Sequence, residues 1–186
     1  FGNFVNIVYE IKSINEPYTN YAFVIHTANI FDQKSPLVRI HSSCIFSEVF
    51  GSLVCDCSSQ LEETLKMFNE KGGIFIYIDQ EGRSHGLFNK VKELKLQEQG
   101  YDTFQASEQL GLDIDSRIYN SAVEILKEIN VLEIKLVTNN PVKVKSITNL
   151  GIIVTERVSI ETMGNGYNNN YLRTKKEKMG HMLTIN

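Results

Sequence analysis

Five consecutive apolar residues, Ile74-Phe75-Ile76-Tyr77-Ile78, follow Gly72-Gly73 and constrain the fold more than any other stretch of the chain. A run of this length without polar alternation fits a strand buried on both faces, so other elements must cover both sides of it. A second buried strand is expected over 134–137. Helical periodicity surrounds both. Ser59-Gln60-Leu61-Glu62 has the form of a capping box opening a helix whose Leu61, Leu65 and Phe68 share one face, and Gly72-Gly73 ends it. Leu87, Val91 and Leu94 mark a second helix, and Ala122, Ile125, Leu126 and Ile129 a third. Asn140-Pro141 supplies a cap and a first-turn proline for a fourth, with Gly151 placed to stop it. Ahead of these lie short β-branched and aromatic stretches over 4–9, 21–26 and 37–41, separated by Asn/Pro/Ser-rich turns. The expected class is α/β (mixed α+β), a central mixed sheet flanked by helices, built as a single domain over 1–186.

Composition narrows the partners. The chain has 186 residues, 42% hydrophobic and 22% charged, with a net charge of −3. This is an ordinary globular profile, with no argument for nucleic acid or an anionic membrane surface. No apolar run nears the roughly 20 residues that span a bilayer. The opening Phe1-Gly2-Asn3-Phe4 does not read as a signal peptide, and the missing initiator methionine points to a removed or upstream N-terminus. Cys44, Cys55 and Cys57 fall within fourteen residues. Three thiols cannot all pair within one chain, so the cytoplasm or another reducing compartment is expected.

Four segments carry candidate chemistry. Three clustered cysteines can hold a Zn²⁺ with its fourth position open, as in a catalytic site; three buried free thiols are the other reading. Asp79-Gln80-Glu81-Gly82-Arg83 follows the buried strand, where a ligand crevice forms in α/β sheets, and Arg83 can grip a phosphate; it also reads as a plain turn. Thr138-Asn139-Asn140-Pro141-Val142-Lys143 is either a phosphate-binding helix start with a cation or a well-capped surface helix. Asp115-Ser116-Arg117, before the third helix, suits a cap or a site pair. The basic run over 173–178 reads as a solvated helix face, and His26 as structural.

Taken together these segments resemble the GTP cyclohydrolase II family. The resemblance is carried by Arg39-Ile40-His41-Ser42-Ser43-Cys44, by Val49-Phe50-Gly51-Ser52-Leu53-Val54-Cys55-Asp56-Cys57 and by Gln80-Glu81-Gly82-Arg83. It continues through Gly86-Leu87-Phe88-Asn89-Lys90, Gln99-Gly100-Tyr101-Asp102-Thr103, Thr138-Asn139-Asn140-Pro141, Glu156-Arg157-Val158 and Thr174-Lys175-Lys176-Glu177-Lys178-Met179-Gly180-His181. It implies zinc on Cys44, Cys55 and Cys57, activating water to attack C8 of the guanine ring, with release of formate and pyrophosphate. It implies Arg117 as nucleophile toward the α-phosphorus and Asp115 as its activating base. Arg39, Gln60, Glu81, Gly82, Arg83, Thr103, Thr138 and Lys143 fall at substrate-contacting positions. Mg²⁺ on the triphosphate, a purine nucleotide substrate and a homodimer are further expectations.

The chain departs from that pattern at Ser43, where the family has glutamate, at Val54 and Asp79, where it has arginine, and at Leu94, where it has tyrosine. Ile118 stands at a commonly acidic position. These departures keep two alternatives beside GTP ring opening: a divergent cyclohydrolase with another purine substrate or a formamido product, and a non-catalytic nucleotide-binding paralogue.

Overall fold

Residues 2–12 and 20–184 are described by a computed structural model; the turn expected between the first two strands, over 13–19, lies outside them. In chain order the elements are β1 (Val5–Ile11), β2 (Asn20–His26), a 3-10 turn at Ala28–Asp32, β3 (Leu37–Ser42), α1 (Ile45–Glu48), α2 (Cys57–Lys71), β4 (Ile74–Ile78) and a second 3-10 turn at Glu81–Ser84. There follow α3 (Gly86–Glu98), α4 (Thr103–Gln109), α5 (Asn120–Glu128), β5 (Glu133–Val137), α6 (Pro141–Asn149), β6 (Ile153–Val158) and α7 (Asn169–Glu177).

The six strands form one sheet in the order β1-β2-β4-β3-β5-β6. Pairing is antiparallel for β1–β2 and β2–β4 and parallel for β3–β5 and β5–β6, so the sheet is mixed, as expected from the sequence. The continuous apolar run of β4 is explained by two separate cores. Ile74, Ile76 and Ile78 of β4 join Val38, Ile40, Ile134 and Leu136 against Ala122, Ile125 and Leu126 of α5 and Ile147 of α6. Phe75, pointing the other way, joins Leu37 and Val137 against Leu65 and Phe68 of α2. Successive strand residues thus serve opposite faces, and both faces are covered.

Phe68 is fully buried in the smaller core. Phe68→Ala is therefore expected to cost about 3–5 kcal/mol through lost burial and an unfilled cavity, read as a lowered denaturant midpoint with an unchanged slope.

Three helix starts and stops match the sequence reading. Gly72 takes φ +78° and its N–H closes α2 on the Phe68 carbonyl at 2.8 Å. The Asn140 side chain accepts from the N–H groups of Val142 and Lys143, and Pro141 opens α6. Gly151 follows α6 at φ +97°.

Two local expectations are corrected. The helix expected to open at Ser59 begins at Cys57, so Ser59 lies inside its first turn. A residue distant in sequence does the capping: the Ser58 N–H donates to Ser47 Oγ at 3.1 Å. In α3 the expected apolar face is not the buried one. Leu87 and Val91 are exposed, and the buried residue is Glu93, whose carboxylate accepts from Ser107 Oγ at 2.6 Å.

The described residues cluster into two units. The first contains the chain to His41, Leu61–Asp79 and Ile118–Ile160, and with them both apolar cores. The second contains Ser42–Gln60, Gln80–Arg117 and the stretch from Glu161. Among its described residues only Cys44, Ala106 and Leu172 are buried apolar side chains, while Asp56, Glu81, Glu93 and Thr103 are buried polar ones. The second unit therefore rests on polar contacts rather than on an oil-like interior. No helix among the described residues is long and apolar enough to cross a membrane.

Candidate functional site

The second unit gathers the cysteines. Cys44 sits at the end of the segment leaving β3, immediately before the short helix α1; Cys55 lies in the irregular stretch before α2, and Cys57 is the first residue of α2. The Sγ atoms of all three lie within 4.8 Å of one another, and those of Cys44 and Cys55 are 3.6 Å apart. Thiolates at about 2.3 Å around a tetrahedral ion stand about 3.8 Å from each other, so the set fits a metal with little rearrangement. Hydrogen bonds from Cys44 and Cys57 pull the Cys55 thiol well below the ordinary thiol range, whereas the bond with Cys44, with Cys55 and burial behind it, pushes Cys57 up. The cluster therefore carries thiolate character at neutral pH, the form that ligates metal.

Two cations flank these thiols. Lys90 of α3 donates from Nζ to Cys44 Sγ at 3.1 Å and forms a close ion pair with Glu81. Burial acts to lower its pKa, and Glu81 and Cys44 outweigh that and raise it. Lys175 of α7 donates to Asp56 Oδ1 at 2.6 Å, on the residue between Cys55 and Cys57. Gln60 Nε2 holds the other Asp56 oxygen at 2.7 Å. Asp56 is 2% exposed. Burial would depress the Lys175 amine, and the Asp56 carboxylate more than reverses it. The reading of 173–178 as a solvated face is thus corrected at Lys175, whose side chain is only 12% exposed.

The expected substrate contacts of the second unit are ordered by backbone as well as by side chain. Glu81, Gly82 and Arg83 form the 3-10 turn after β4, with Gly82 and Arg83 both at φ 59°. Glu81 is nearly buried: Oε2 accepts from the Ile45 N–H at 2.7 Å and Oε1 from the Gly82 N–H at 3.1 Å. Arg83 Nη1 donates to the Ile114 carbonyl at 3.1 Å. Thr103 is the first residue of α4, buried, behind an Asp102–Gln105 capping box. Asp115 and Arg117 form a bidentate pair, Nε to Oδ1 at 2.7 Å and Nη2 to Oδ2 at 2.5 Å. The residue before α5 is Tyr119, so Asp115 serves as a partner of Arg117 and not as that helix's cap. Burial raises the Asp115 carboxyl, but the Arg117 guanidinium outweighs it and leaves the group ionised below its ordinary range.

Arg39, Thr138 and Lys143 belong to the sheet unit. Arg39 Nη1 donates to the Val137 carbonyl at 3.0 Å, and Thr138 Oγ1 accepts from the Asn140 N–H at 3.1 Å. Lys143 is 5% exposed; its Nζ donates to the Ile40 carbonyl at 2.8 Å and lies 5.1 Å from the Tyr119 ring centre. Because Asn140 already takes the Val142 and Lys143 N–H groups, these two amides of the α6 start are not open donors. His26 is buried, with Nδ1 2.9 Å from the Thr27 carbonyl, in keeping with a structural role. Among the departures from the family pattern, Val54, Asp79 and Ile118 are exposed, Ser43 Oγ accepts from the Gln80 N–H, and Leu94 is half-buried.

The sequence reading missed Lys90, Asp56 and Lys175. Lys90 and Lys175 stood within matched text, yet nothing local to either sequence names its partner. Their contacts span 46 and 119 positions of chain.

A mixed, doubly covered sheet and three thiols close enough to hold one metal ion define the class: an α/β protein with a candidate metal centre. The model of the GTP cyclohydrolase II family matches residues 1–159. The GTP cyclohydrolase-2 of Campylobacter fetus is 45% identical over 183 residues, covering 98% of this chain and 90% of that protein. That of Psychromonas ingrahamii is 44% identical over 163 residues, covering 85% and 82%. The riboflavin biosynthesis protein RibBA of Cytophaga hutchinsonii is 45% identical over 148 residues, and there the match spans 36% of the longer protein. The chain belongs to the GTP cyclohydrolase II family.

Proposed function

We propose that this chain opens the imidazole ring of GTP by hydrolysis, releasing formate and pyrophosphate and leaving 2,5-diamino-6-ribosylamino-4-pyrimidinone 5′-phosphate for riboflavin synthesis. The observation that carries this reading is the three-thiol cluster in a chain of this family. Zinc held by Cys44, Cys55 and Cys57 supplies Lewis acidity that makes water nucleophilic near neutral pH.

The chain's own groups divide the remaining work. Asp115 fixes the plane of the Arg117 guanidinium through two bonds, so Arg117 meets the α-phosphate preoriented, as the proposed catalytic pair. Gln60, Glu81, Gly82, Arg83 and Thr103 in the second unit, and Arg39, Thr138 and Lys143 in the sheet unit, are the proposed substrate-contacting residues. Mg²⁺ enters with the triphosphate as part of the substrate. We further propose that 1–186 acts as one catalytic domain, in the cytoplasm, and pairs with a second copy. The exposed Val49, Phe50, Leu53, Leu87, Phe88 and Val91 of the second unit support that pairing.

Metal-loaded protein incubated with GTP and Mg²⁺ is expected to release formate and pyrophosphate together, with loss of purine absorbance. A folded, zinc-replete sample that releases neither overturns the proposal. Pyrophosphate without formate would overturn ring opening while sparing the Asp115–Arg117 assignment.

A further inference from the structure

Lys90 reaches two anionic groups at once. Its ammonium donates to Cys44 Sγ at 3.1 Å and pairs closely with Glu81; the Lys90 and Glu81 side chains are nearly withdrawn from solvent, at 16% and 10% exposure. The geometry extends past that triangle. Glu81 Oε2 accepts from the N–H of Ile45, the residue after Cys44, at 2.7 Å. The stem of Lys90 runs past Gly82, where an added Cβ would come within 3.1 Å of Lys90 Cβ, and Gly82 itself holds φ +59°. A side chain at position 82 would crowd the Lys90 stem. Lys90 and Glu81 thus grip the Cys44 corner from its sulfur and from its backbone.

A buried ion pair tying the 3-10 turn to α3 would explain the Lys90–Glu81 contact alone. It does not explain why a second donor of the same ammonium rests on a sulfur of the metal set. Three thiolates around a divalent ion leave one net negative charge, and a buried cation on one of the sulfurs offsets it. Groups that hydrogen-bond to ligating atoms orient them and tune how much charge they donate. We propose that Lys90 is a positioning residue of the metal centre: it orients the Cys44 thiolate, draws charge from it, and couples it to the Glu81 carboxylate. The inference rests on the cysteines holding a metal.

Cobalt substitution reads the sulfur directly. The wild-type protein is expected to show thiolate-to-cobalt charge-transfer bands in the near ultraviolet. In Lys90→Met, losing the donor raises the energy of the sulfur electrons, so these bands move to longer wavelength, and turnover falls about 10–100-fold. Lys90→Arg, which keeps a cationic donor, is expected to return the bands toward wild type. Should Lys90→Met fail to fold because Glu81 has lost its cation, Lys90→Met/Glu81→Gln removes both charges and must show the same band shift. Bands unchanged in either folded variant overturn the proposal. Absence of cobalt bands in the wild-type protein overturns the metal reading itself, which separates the two failures.

Discussion

Replacing Cys55 by serine is expected to strip the metal, end formate release and loosen the second unit while leaving the sheet unit intact. A serine hydroxyl does not ionise near neutral pH and is a poor partner for a borderline-soft ion, so the set falls from three thiolates to two. Formate release should drop to the level of the uncatalysed reaction. The structural consequence follows from how the two units are held. The sheet unit has Ile74, Ile76, Leu126 and Ile134 in one core and Phe68 and Phe75 in the other, all fully buried or nearly so. The second unit buries only Cys44, Ala106 and Leu172 among its described apolar side chains, and leaves Phe50 and Phe88 68% and 76% exposed. A metal held by the three cysteines would take the place of an apolar core there, since binding to a folded site is also folding free energy. Amide hydrogen exchange should rise over 43–60 and in α7, with β3, β4 and β5 keeping their protection. Chelation of the wild-type metal should give the same pattern reversibly. Uniform deprotection of both units, or none, would contradict this account.

The contrast between the units also explains what could be read from the sequence. The sheet unit announces itself because its signals are local. Ile74–Ile78 has no polar alternation, α5 carries an unbroken apolar stripe, and Asn140-Pro141 with Gly151 marks both ends of α6. In the second unit the deciding interactions join residues far apart in sequence, so local periodicity misleads. Leu87 and Val91 have the spacing of a buried face and are exposed, while Glu93 is buried because Ser107 receives it. The start of α2 shifts because Ser47 supplies the bond that Ser59 was expected to give. Cysteine spacing narrowed the metal question without settling it, since three free thiols have the same spacing. Only the folded chain brings the sulfurs within reach of one ion and sets Lys90 on one of them.

Lys175→Met is expected to destabilise the second unit by about 3–5 kcal/mol, the cost of stranding a buried carboxylate. Asp56 is 2% exposed and receives Lys175 at one oxygen and Gln60 at the other, so no solvent stands ready to replace the ammonium. Methionine preserves most of the stem and removes the ammonium, whose Nζ lies 4.4 Å from the Tyr171 ring centre. The loss therefore isolates charge rather than volume. Asp56→Asn alone leaves Lys175 without its counter-ion and should cost a similar amount. The double variant Asp56→Asn/Lys175→Met should recover much of either loss. Neither buried charge is then left uncompensated, and the carboxamide oxygen introduced at position 56 can still accept from Gln60. A guanidinium or urea series on all four proteins measures that coupling. The position of Asp56 adds a second readout: it sits between Cys55 and Cys57, so the single variants should also weaken metal retention against a chelator, by about 10–100-fold. The family model matches the chain to residue 159, and Lys175 lies on α7, beyond it. Additive losses in the cycle would mean that the pair is a surface-like contact. Strong coupling with unchanged metal retention would make the pair a brace for α7 alone, and coupled losses of both would place the holding of the Cys-x-Cys turn in the C-terminal helix.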